Sequence, residues 1–372
     1  MAAPASFAPT LQRFGFTHEP LPDVAQAELG SVFGRLATLS RPQANALVVE
    51  EIFGRLNTRA ALPAMRAVCD SWKPDVVLRE PAELSSYVAA LECGVPHVQT
   101  NIGLSSFDDF LLPLFEAPLK DVGCDTASLR AAPRWTTLPP TFDVASQLVS
   151  GTVTHARDVP DSAASPGRLP HWWDGSDDPL VYVTFGSVAA GMGLFPRFYE
   201  RVLEQLSGVP VRVLLTLGEA GDPMALGTVP ANVHIERWWP QRDVMAHAAV
   251  VVGHGGFGTT QAALVAGVPQ VAIPLFSYDQ FANAERLQAV GVGLKRMRLH
   301  IRAASCRRVP SQSTGWPRRW NACSRTRTFG ERPSRWRTRP ERCPPRRSAS
   351  KRGSPRCRRR RRTSGGPHVG LT

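Results

Sequence analysis

The sequence predicts an α/β protein with two doubly wound domains and a basic tail. Short apolar strands alternate with helical stretches over residues 1–295, which is typical of parallel sheets covered by helices on both faces. A chain of 372 residues is long enough for two domains with separate cores. The net charge of +13 arises entirely after residue 295, so it does not describe the predicted domains.

The basic tail differs from the rest of the chain in composition. Residues 1–295 hold 20 basic and 29 acidic side chains, whereas residues 296–372 hold 24 basic and 2 acidic ones. The tail has no helical or strand period, and we expect it to be disordered. Two interpretations stay open: an arm for nucleic acids or anionic surfaces, or a GC-rich gene translated out of frame. A single lysine among many arginines favours the frameshift.

Several protein classes receive no support from the sequence. No stretch approaches the ~18 apolar residues of a membrane-spanning helix, and residues 1–9 lack the features of a secretory signal. The seven cysteines include no CxxC pair, so neither a zinc site nor a disulfide framework is indicated. We therefore expect a cytoplasmic protein with no membrane span.

The first predicted domain covers residues 1–160. It contains a helix within 44–66 that we expect to break near Pro63, then a strand at 74–78, a helix at 82–93 and a strand at 96–100. Residues 161–178 are rich in Pro, Ser, Asp and Gly and predict a linker.

The second predicted domain covers residues 179–295, with five strands and four helices. The strands are expected at 180–185, 211–217, 233–237, 249–252 and 270–274, and the helices at 196–206, 242–248, 259–266 and 279–290. Since doubly wound folds bind ligands at the carboxyl ends of their strands, the loops that follow the strands are candidates for function.

The most informative loop is the sequence VGHGGFGTT at residues 252–260. It lies between an apolar strand and a helix, where free backbone amides and the helix dipole form an anion site. His254 could donate a further hydrogen bond. The spacing matches neither the Walker pattern nor the dinucleotide pattern. Close approach of a ligand is expected at Gly255, Gly256 and Gly258, and free amides at Gly258, Thr259 and Thr260.

Three other loops complete a candidate nucleotide-sugar site. Gly186 and Ser187 form a second small turn suited to phosphate. Trp238 and Trp239 follow a strand and offer an aromatic surface for a base, although packing in the core is the alternative for both. A carboxylate and an amide suited to sugar hydroxyls follow a later strand, at Asp279 and Gln280.

Residues 180–292 resemble the donor-binding half of the GT-B glycosyltransferases, within the family of UDP-glycosyltransferases and bacterial antibiotic, macrolide-type glycosyltransferases. This resemblance implies two Rossmann-like domains that face each other across a cleft. The matching motifs are TFGS (184–187), WWPQ (238–241), HGGFGTT (254–260), AGVPQ (266–270) and PLFSYDQFANA (274–284).

The resemblance also implies a role for each matching residue. Trp238 would face the base, the backbone of Trp239 would read its edge, and Gln241 would lie near the ribose. Many relatives bind the ribose through a Glu eight residues after the motif His, where this chain has Ala262, so UDP and TDP both stay open. The diphosphate would lie at Ser187, His254, Gly258 and Thr259, and the sugar at Asp279 and Gln280.

The first half resembles the acceptor domain of the same family less specifically. The resemblance implies inverting transfer to a hydroxyl of a small hydrophobic acceptor, without a metal or cofactor. The acidic loop at 174–178 mimics a metal-binding DxD sequence. Because it lies in the predicted linker and the resemblance implies no catalytic metal, a solvated loop is expected. Five apolar side chains are expected either to line the acceptor site or to form the core side of a helix. They are Phe107, Phe110, Leu111, Leu114 and Phe115.

The catalytic residue stays unassigned. Relatives place a His base in the loop after their first strand, and the chain is expected to begin beyond that strand. His18 lies in an unmatched context, and Glu80 is a candidate only for an acid that orients such a His. Three hypotheses follow: an active glycosyltransferase, a truncated homologue that binds nucleotide without turnover, and, least favoured, a nucleic-acid-binding protein.

Overall fold

A computed structural model describes residues 1–156, 167–173 and 176–297. Residues 298–372, which hold nearly all of the predicted basic tail, lie outside the described residues. The same is true of residues 161–166 and 174–175 of the predicted linker.

The first half contains a four-stranded parallel sheet in the order β3-β4-β5-β6 and a separate parallel pair, β1-β2. Its elements are β1 (Ala2–Pro4), α1 (Ala8–Arg13), β2 (Glu19–Leu21), α2 (Gln26–Leu36), α3 (Arg41–Leu47), a π-helix (Val48–Asn57), α4 (Thr58–Trp72), β3 (Val77–Arg79), α5 (Ser85–Glu92), β4 (His97–Thr100), α6 (Asp108–Asp121), α7 (Ala127–Ala131), β5 (Arg134–Thr136) and β6 (Val153–His155).

The predicted break at Pro63 is wrong, because helix α4 continues through this proline to Trp72. A proline inside a helix costs about 3 kcal/mol. Leu62, Met65 and Cys69 lie on both sides of Pro63 and are buried in one hydrophobic cluster. Burial of such side chains stabilises by about 1.5–3 kcal/mol each, so packing outweighs the local preference.

The second half forms a six-stranded parallel sheet in the order β12-β11-β10-β7-β8-β9. Counted along this half, the order is 6-5-4-1-2-3, the doubly wound arrangement. Its elements are β7 (Leu180–Thr184), α8 (Arg197–Leu206), β8 (Arg212–Thr216), β9 (Val233–Glu236), α9 (Gln241–Met245), β10 (Ala248–Gly253), α10 (Phe257–Ala266), β11 (Gln270–Ala272), α11 (Tyr278–Ala289) and β12 (Gly293–Lys295). The predicted α/β fold is confirmed.

Strand β7 explains why the predicted strands are apolar without alternation. All five of its residues are buried. Val181 and Val183 pack on one face of the sheet in a cluster with α8. Leu180 and Tyr182 pack on the other face in a second cluster with α9 and α10. Because successive side chains point to opposite faces, a strand covered on both sides has apolar residues on both faces, as residues 180–183 do here.

A buried ion pair joins the first sheet to α6. The Nε atom of Arg134 donates to the Oδ2 atom of Asp108 at 2.7 Å, and both side chains are almost fully buried. The amide of Gln99 donates to the same carboxylate at 3.0 Å, and its oxygen accepts from Arg79 at 2.9 Å. Asp108 is the first residue of α6, so the positive helix end also stabilises its charge.

No helix of the described part of the chain is both long and apolar enough to cross a membrane.

The buried pair gives a test of the first sheet. We expect Asp108→Asn to lower the free energy of unfolding by about 3–5 kcal/mol, because it leaves the Arg134 charge buried without a counter-charge. Urea unfolding followed by circular dichroism measures this loss. The matched control is Glu92→Gln, which breaks the half-exposed pair with Arg66 and should cost less than about 1 kcal/mol. Equal losses in both variants would contradict the buried network.

Candidate functional site

The centre of the candidate site is the point where strands β7 and β10 lie side by side. Gly253 at the end of β10 pairs with Thr184 at the end of β7. Gly186, just after β7, has a φ of +78°, and a Cβ atom there would lie 2.9 Å from the Cε1 atom of His254. Glycine is required at this turn by its backbone conformation and by the contact with the imidazole. The TFGS and HGGFG motifs, 70 residues apart in the sequence, therefore meet at this point.

Helix α10 begins at this point with unpaired backbone amides. It starts at Phe257 after Gly256, which makes no side-chain cap. The first helical hydrogen bond runs from the amide of Thr260 to the carbonyl of Gly256 at 3.0 Å. The three preceding amides therefore have no partner within the helix. The prediction that Thr260 has a free amide is therefore wrong. The three amides without a partner in the helix are those of Phe257, Gly258 and Thr259.

The surroundings of His254 keep its ring neutral. Burial lowers the pKa of this imidazole, and the Asp279 carboxylate and the backbone of Thr184 only partly oppose the effect. At pH 7 the ring therefore offers one N–H donor and no positive charge. An anion at this site would meet hydrogen-bond donors and the dipole of α10, and no ionised histidine.

The glycine-rich loop is braced by helix α11. Gly255 has a φ of +83°, and a Cβ atom there would lie 2.8 Å from the carbonyl oxygen of Gln280. The side chain of Asn283 donates to the carbonyl of Gly255 at 2.9 Å and is buried. No role was predicted for Asn283, although it lies in the PLFSYDQFANA motif. A polar residue on the inner face of an amphipathic helix is the signal that could have found it.

The two neighbouring tryptophans have different surroundings. The side chain of Trp238 is 57% exposed at the carboxyl edge of the sheet. The ring of Trp239 packs edge-on against Trp172 with centroids 4.9 Å apart, next to the cluster beneath α9 and α10. Only Trp238 of this pair thus offers a ring face, and Trp239 has the core position that was the alternative for both.

Gln241 connects the WWPQ loop to helix α10. Its amide nitrogen donates to the hydroxyl of Thr259 at 2.9 Å, and Thr259 is buried. The bond fixes the loop that carries Trp238 relative to the free amides of α10. The Thr259 hydroxyl accepts this bond and keeps its own proton for another acceptor.

The residues expected at the sugar are tied into their own loop. The hydroxyl of Ser277 donates to the Asp279 carboxylate. The side-chain oxygen of Gln280 accepts the amides of Leu275 and Phe276 at 2.9 and 3.1 Å, and this side chain is buried. Gln280 therefore shapes the loop between β11 and α11, whereas Asp279 is only partly buried.

The expected acceptor lining is divided by the structure. Leu111 and Phe115 are buried in the core of the first half, as the alternative interpretation held, and Leu114 packs against that core. Phe107 and Phe110 also pack against this core, and their rings in addition stack on Tyr278 of the second half, with ring centroids 5.8 and 4.3 Å apart. These two rings therefore contact the loop that carries Asp279.

The two side chains considered for catalysis are engaged locally. The Glu80 carboxylate accepts the amide of Ala82 at 2.8 Å, and burial raises its pKa. The ring of His18 lies 2.9 Å from the carbonyl of Ala3, beside the β1-β2 pair. Neither contact joins either residue to the loops around α10.

The loops at the carboxyl edge of the second sheet thus bring the predicted donor-binding residues to neighbouring positions. The predicted donor-binding residues all follow one of the strands β7, β9, β10 and β11; they are Gly186, Ser187, Trp238, Trp239, Gln241, His254, Gly255, Gly256, Gly258, Thr259, Thr260, Asp279 and Gln280.

Comparison with known families gives two matches that together cover most of the chain. Residues 21–186 match the N-terminal domain of the erythromycin biosynthesis protein CIII-like family. Residues 200–326 match the C-terminal domain of the same family. The second match continues past residue 295, where the composition changes.

Curated relatives agree with these matches. L-demethylnoviosyl transferase of Streptomyces niveus is 34% identical over 244 residues, covering 63% of this chain and 61% of that protein. Aklavinone 7-beta-L-rhodosaminyltransferase of Streptomyces galilaeus is 28% identical over 283 residues, covering 67% of this chain and 62% of that protein. The chain spans less than two thirds of the length of each.

Solved structures show the same fold. The Streptomyces sp. SF2575 glycosyltransferase SsfS6, complexed with thymidine diphosphate, superposes with a TM-score of 0.59 at 22% identity. The match covers 79% of this chain and 78% of that one. The GT-B arrangement implied by the sequence resemblance is thereby confirmed.

The conformation of the glycine-rich loop can be tested by stability. We expect Gly255→Ala to lower the free energy of unfolding by about 1–3 kcal/mol, since it strains the backbone and brings a methyl group against the Gln280 carbonyl. The matched control is Gly258→Ala, where a Cβ atom would meet nothing within 4 Å and the cost should be below about 0.5 kcal/mol. Urea midpoints measure both, and equal midpoints would contradict the described loop.

Proposed function

Because the chain belongs to the erythromycin biosynthesis protein CIII-like family of GT-B glycosyltransferases, we propose that it transfers a sugar from a TDP- or UDP-sugar to a hydroxyl of a small lipophilic natural product, with inversion. The observation that carries this proposal is the start of α10 at the β7–β10 junction, next to the exposed Trp238.

The proposed organisation is an acceptor domain over residues 1–160, a linker over 161–178 and a donor domain over 179–295.

The diphosphate of the donor binds at the start of α10. The free amides of Phe257, Gly258 and Thr259 and the positive end of the helix dipole receive its negative charge. Gly258 is exposed and has open space around it, so a phosphate oxygen can approach the backbone closely. The N–H of neutral His254 and the hydroxyl of Ser187 supply additional donors.

The base of the nucleotide stacks on Trp238, and the ribose lies near Gln241. The exposed ring of Trp238 supports the stacking of the base. The hydrogen bond from Gln241 to Thr259 holds Gln241 beside the site of the diphosphate. Ala262 supplies no carboxylate for ribose hydroxyls. The structural neighbour that was solved with thymidine diphosphate adds support for TDP, and UDP remains the second candidate.

The proposed transfer is a displacement at the anomeric carbon. The acceptor oxygen forms a bond to this carbon while the bond to the diphosphate oxygen breaks, and the nucleoside diphosphate leaves. The α10 amides stabilise the charge that develops on the leaving group, and no metal or cofactor is required in this scheme. Asp279 holds sugar hydroxyls. The base that takes the acceptor proton is unassigned, and Glu80 remains a hypothesis for an orienting acid.

Relatives support the class of acceptor. One of them is named for transfer to aklavinone. We propose a natural product acceptor of comparable size, and the cytoplasm as the site of the reaction. Nucleic acid is not a proposed partner.

Activity and binding are to be measured separately. We expect the full chain to bind TDP or UDP in a calorimetric titration, and to transfer a sugar from TDP-glucose or UDP-glucose to a lipophilic aglycone, detected by mass spectrometry. Binding with no transfer for any donor and acceptor tried would favour the nucleotide-binding homologue. Absence of binding to both nucleotides would overturn the proposal.

The site assignment is tested by substitution. We expect Trp238→Ala to weaken nucleotide binding between about 5-fold and 150-fold, since stacking on an aromatic ring contributes ~1–3 kcal/mol. The matched control is Trp135→Ala, which removes another exposed tryptophan on strand β5 and should leave the dissociation constant unchanged. Equal binding by the Trp238→Ala variant and the parent protein would contradict the assignment.

A further inference from the structure

One side chain of the first half holds the loop that carries Asp279. The amide nitrogen of Asn45, in α3, donates to the carbonyl of Phe276 at 2.9 Å, and its oxygen accepts the amide of Tyr278 at 2.9 Å. Both partners are backbone groups between β11 and α11. The nitrogen also donates to the carbonyl of Arg41 in its own helix at 2.9 Å, which fixes the orientation of the side chain.

Asn45 does for α11 what a capping residue does in an ordinary helix. Tyr278 is the first residue of α11, and its amide needs a partner outside the helix. Ser277 occupies the cap position but makes no capping bond, and its hydroxyl donates to the Asp279 carboxylate. The cap comes instead from a residue more than 230 positions earlier in the chain.

Aromatic and cationic contacts surround this clamp. The rings of Phe110 and Tyr278 are parallel within 7°, with centroids 4.3 Å apart. The guanidinium of Arg41 lies 3.8 Å from the centroid of the Phe281 ring, a cation–π contact. Contacts from the first half thus reach Phe276, Tyr278 and Phe281, which lie on both sides of Asp279 in the sequence.

Asn45 lies in a helix that runs directly into a π-helical stretch. Helix α3, the π-helix and α4 are continuous, since Leu47 and Asn57 at the two junctions have right-handed helical conformations. A π-helical stretch changes which face of a helix its two ends present and is frequent at functional sites. Val49 and Ile52 in this stretch are buried, while Asn45 one turn earlier reaches the second half.

We propose that Asn45 is a positioning residue, which sets Asp279 for the transferred sugar by capping α11 from the opposite half of the molecule. This inference rests on the proposed function. Gln280 braces the same loop from within, through the amides of Leu275 and Phe276. Loss of Asn45 therefore releases the segment around Asp279 while the loop retains its internal bonds and the α10 amides stay in place.

The test compares affinity for the nucleotide with affinity for the nucleotide sugar. In Asn45→Ala we expect the dissociation constant for TDP or UDP to stay within about 2-fold of the parent value. The constant for the corresponding TDP-glucose or UDP-glucose should rise about 10-fold, equivalent to about 1.4 kcal/mol. Asn45→Asp keeps an oxygen for the Tyr278 amide and loses the donor to Phe276, so its effect should be intermediate.

A control and a second measurement make the outcome decisive. Gln43→Ala alters the cap of the same helix α3 without touching the loop and should change neither constant. Hydrogen exchange in the peptide 274–281 should accelerate in Asn45→Ala and not in Gln43→Ala. Equal weakening of nucleotide and nucleotide sugar, or unchanged exchange, would overturn the positioning role. A parent protein that binds neither nucleotide would instead overturn the proposed function.

Discussion

The candidate site depends on the close approach of two turns where β7 and β10 lie side by side. Gly186 leaves room for the ring of His254, and the chain after His254 then turns directly into α10. The helices of a doubly wound sheet diverge at this point, so the first amides of α10 face open space at the sheet edge. A side chain at Gly186 would separate the two turns, and with them the donors proposed for the phosphates on each.

The loop between β11 and α11 is the second essential part, because both halves of the chain hold it. Gln280 satisfies two of its amides from within, and Asn45 satisfies one amide and one carbonyl from the first half. Arg286 of α11 adds bonds to the carbonyls of Phe142 and Thr141 at 2.7 and 2.8 Å. A substitution in the first half can therefore change the loop that carries Asp279, the residue proposed to bind the sugar, without being part of that loop.

Most elements of the second half were predictable from the sequence. A strand buried on both faces needs an uninterrupted apolar run, and β7 and β10 have one. Differences arose where long-range packing decides. Helix α4 continues through Pro63 because its buried face lies on both sides of the proline. The free amides of α10 begin one residue earlier than predicted because the helix starts at Phe257.

The sequence by itself determined the fold class, the loops that carry the site and the resemblance to GT-B glycosyltransferases, since these follow from local periodicity and short motifs. Only the tertiary structure decided which of Trp238 and Trp239 offers its ring, which amides of α10 are unpaired, and that Asn45 caps α11. Exposure and hydrogen-bond partners depend on residues distant in the chain, and no local pattern encodes them. For Asn45, the partners lie more than 230 residues away.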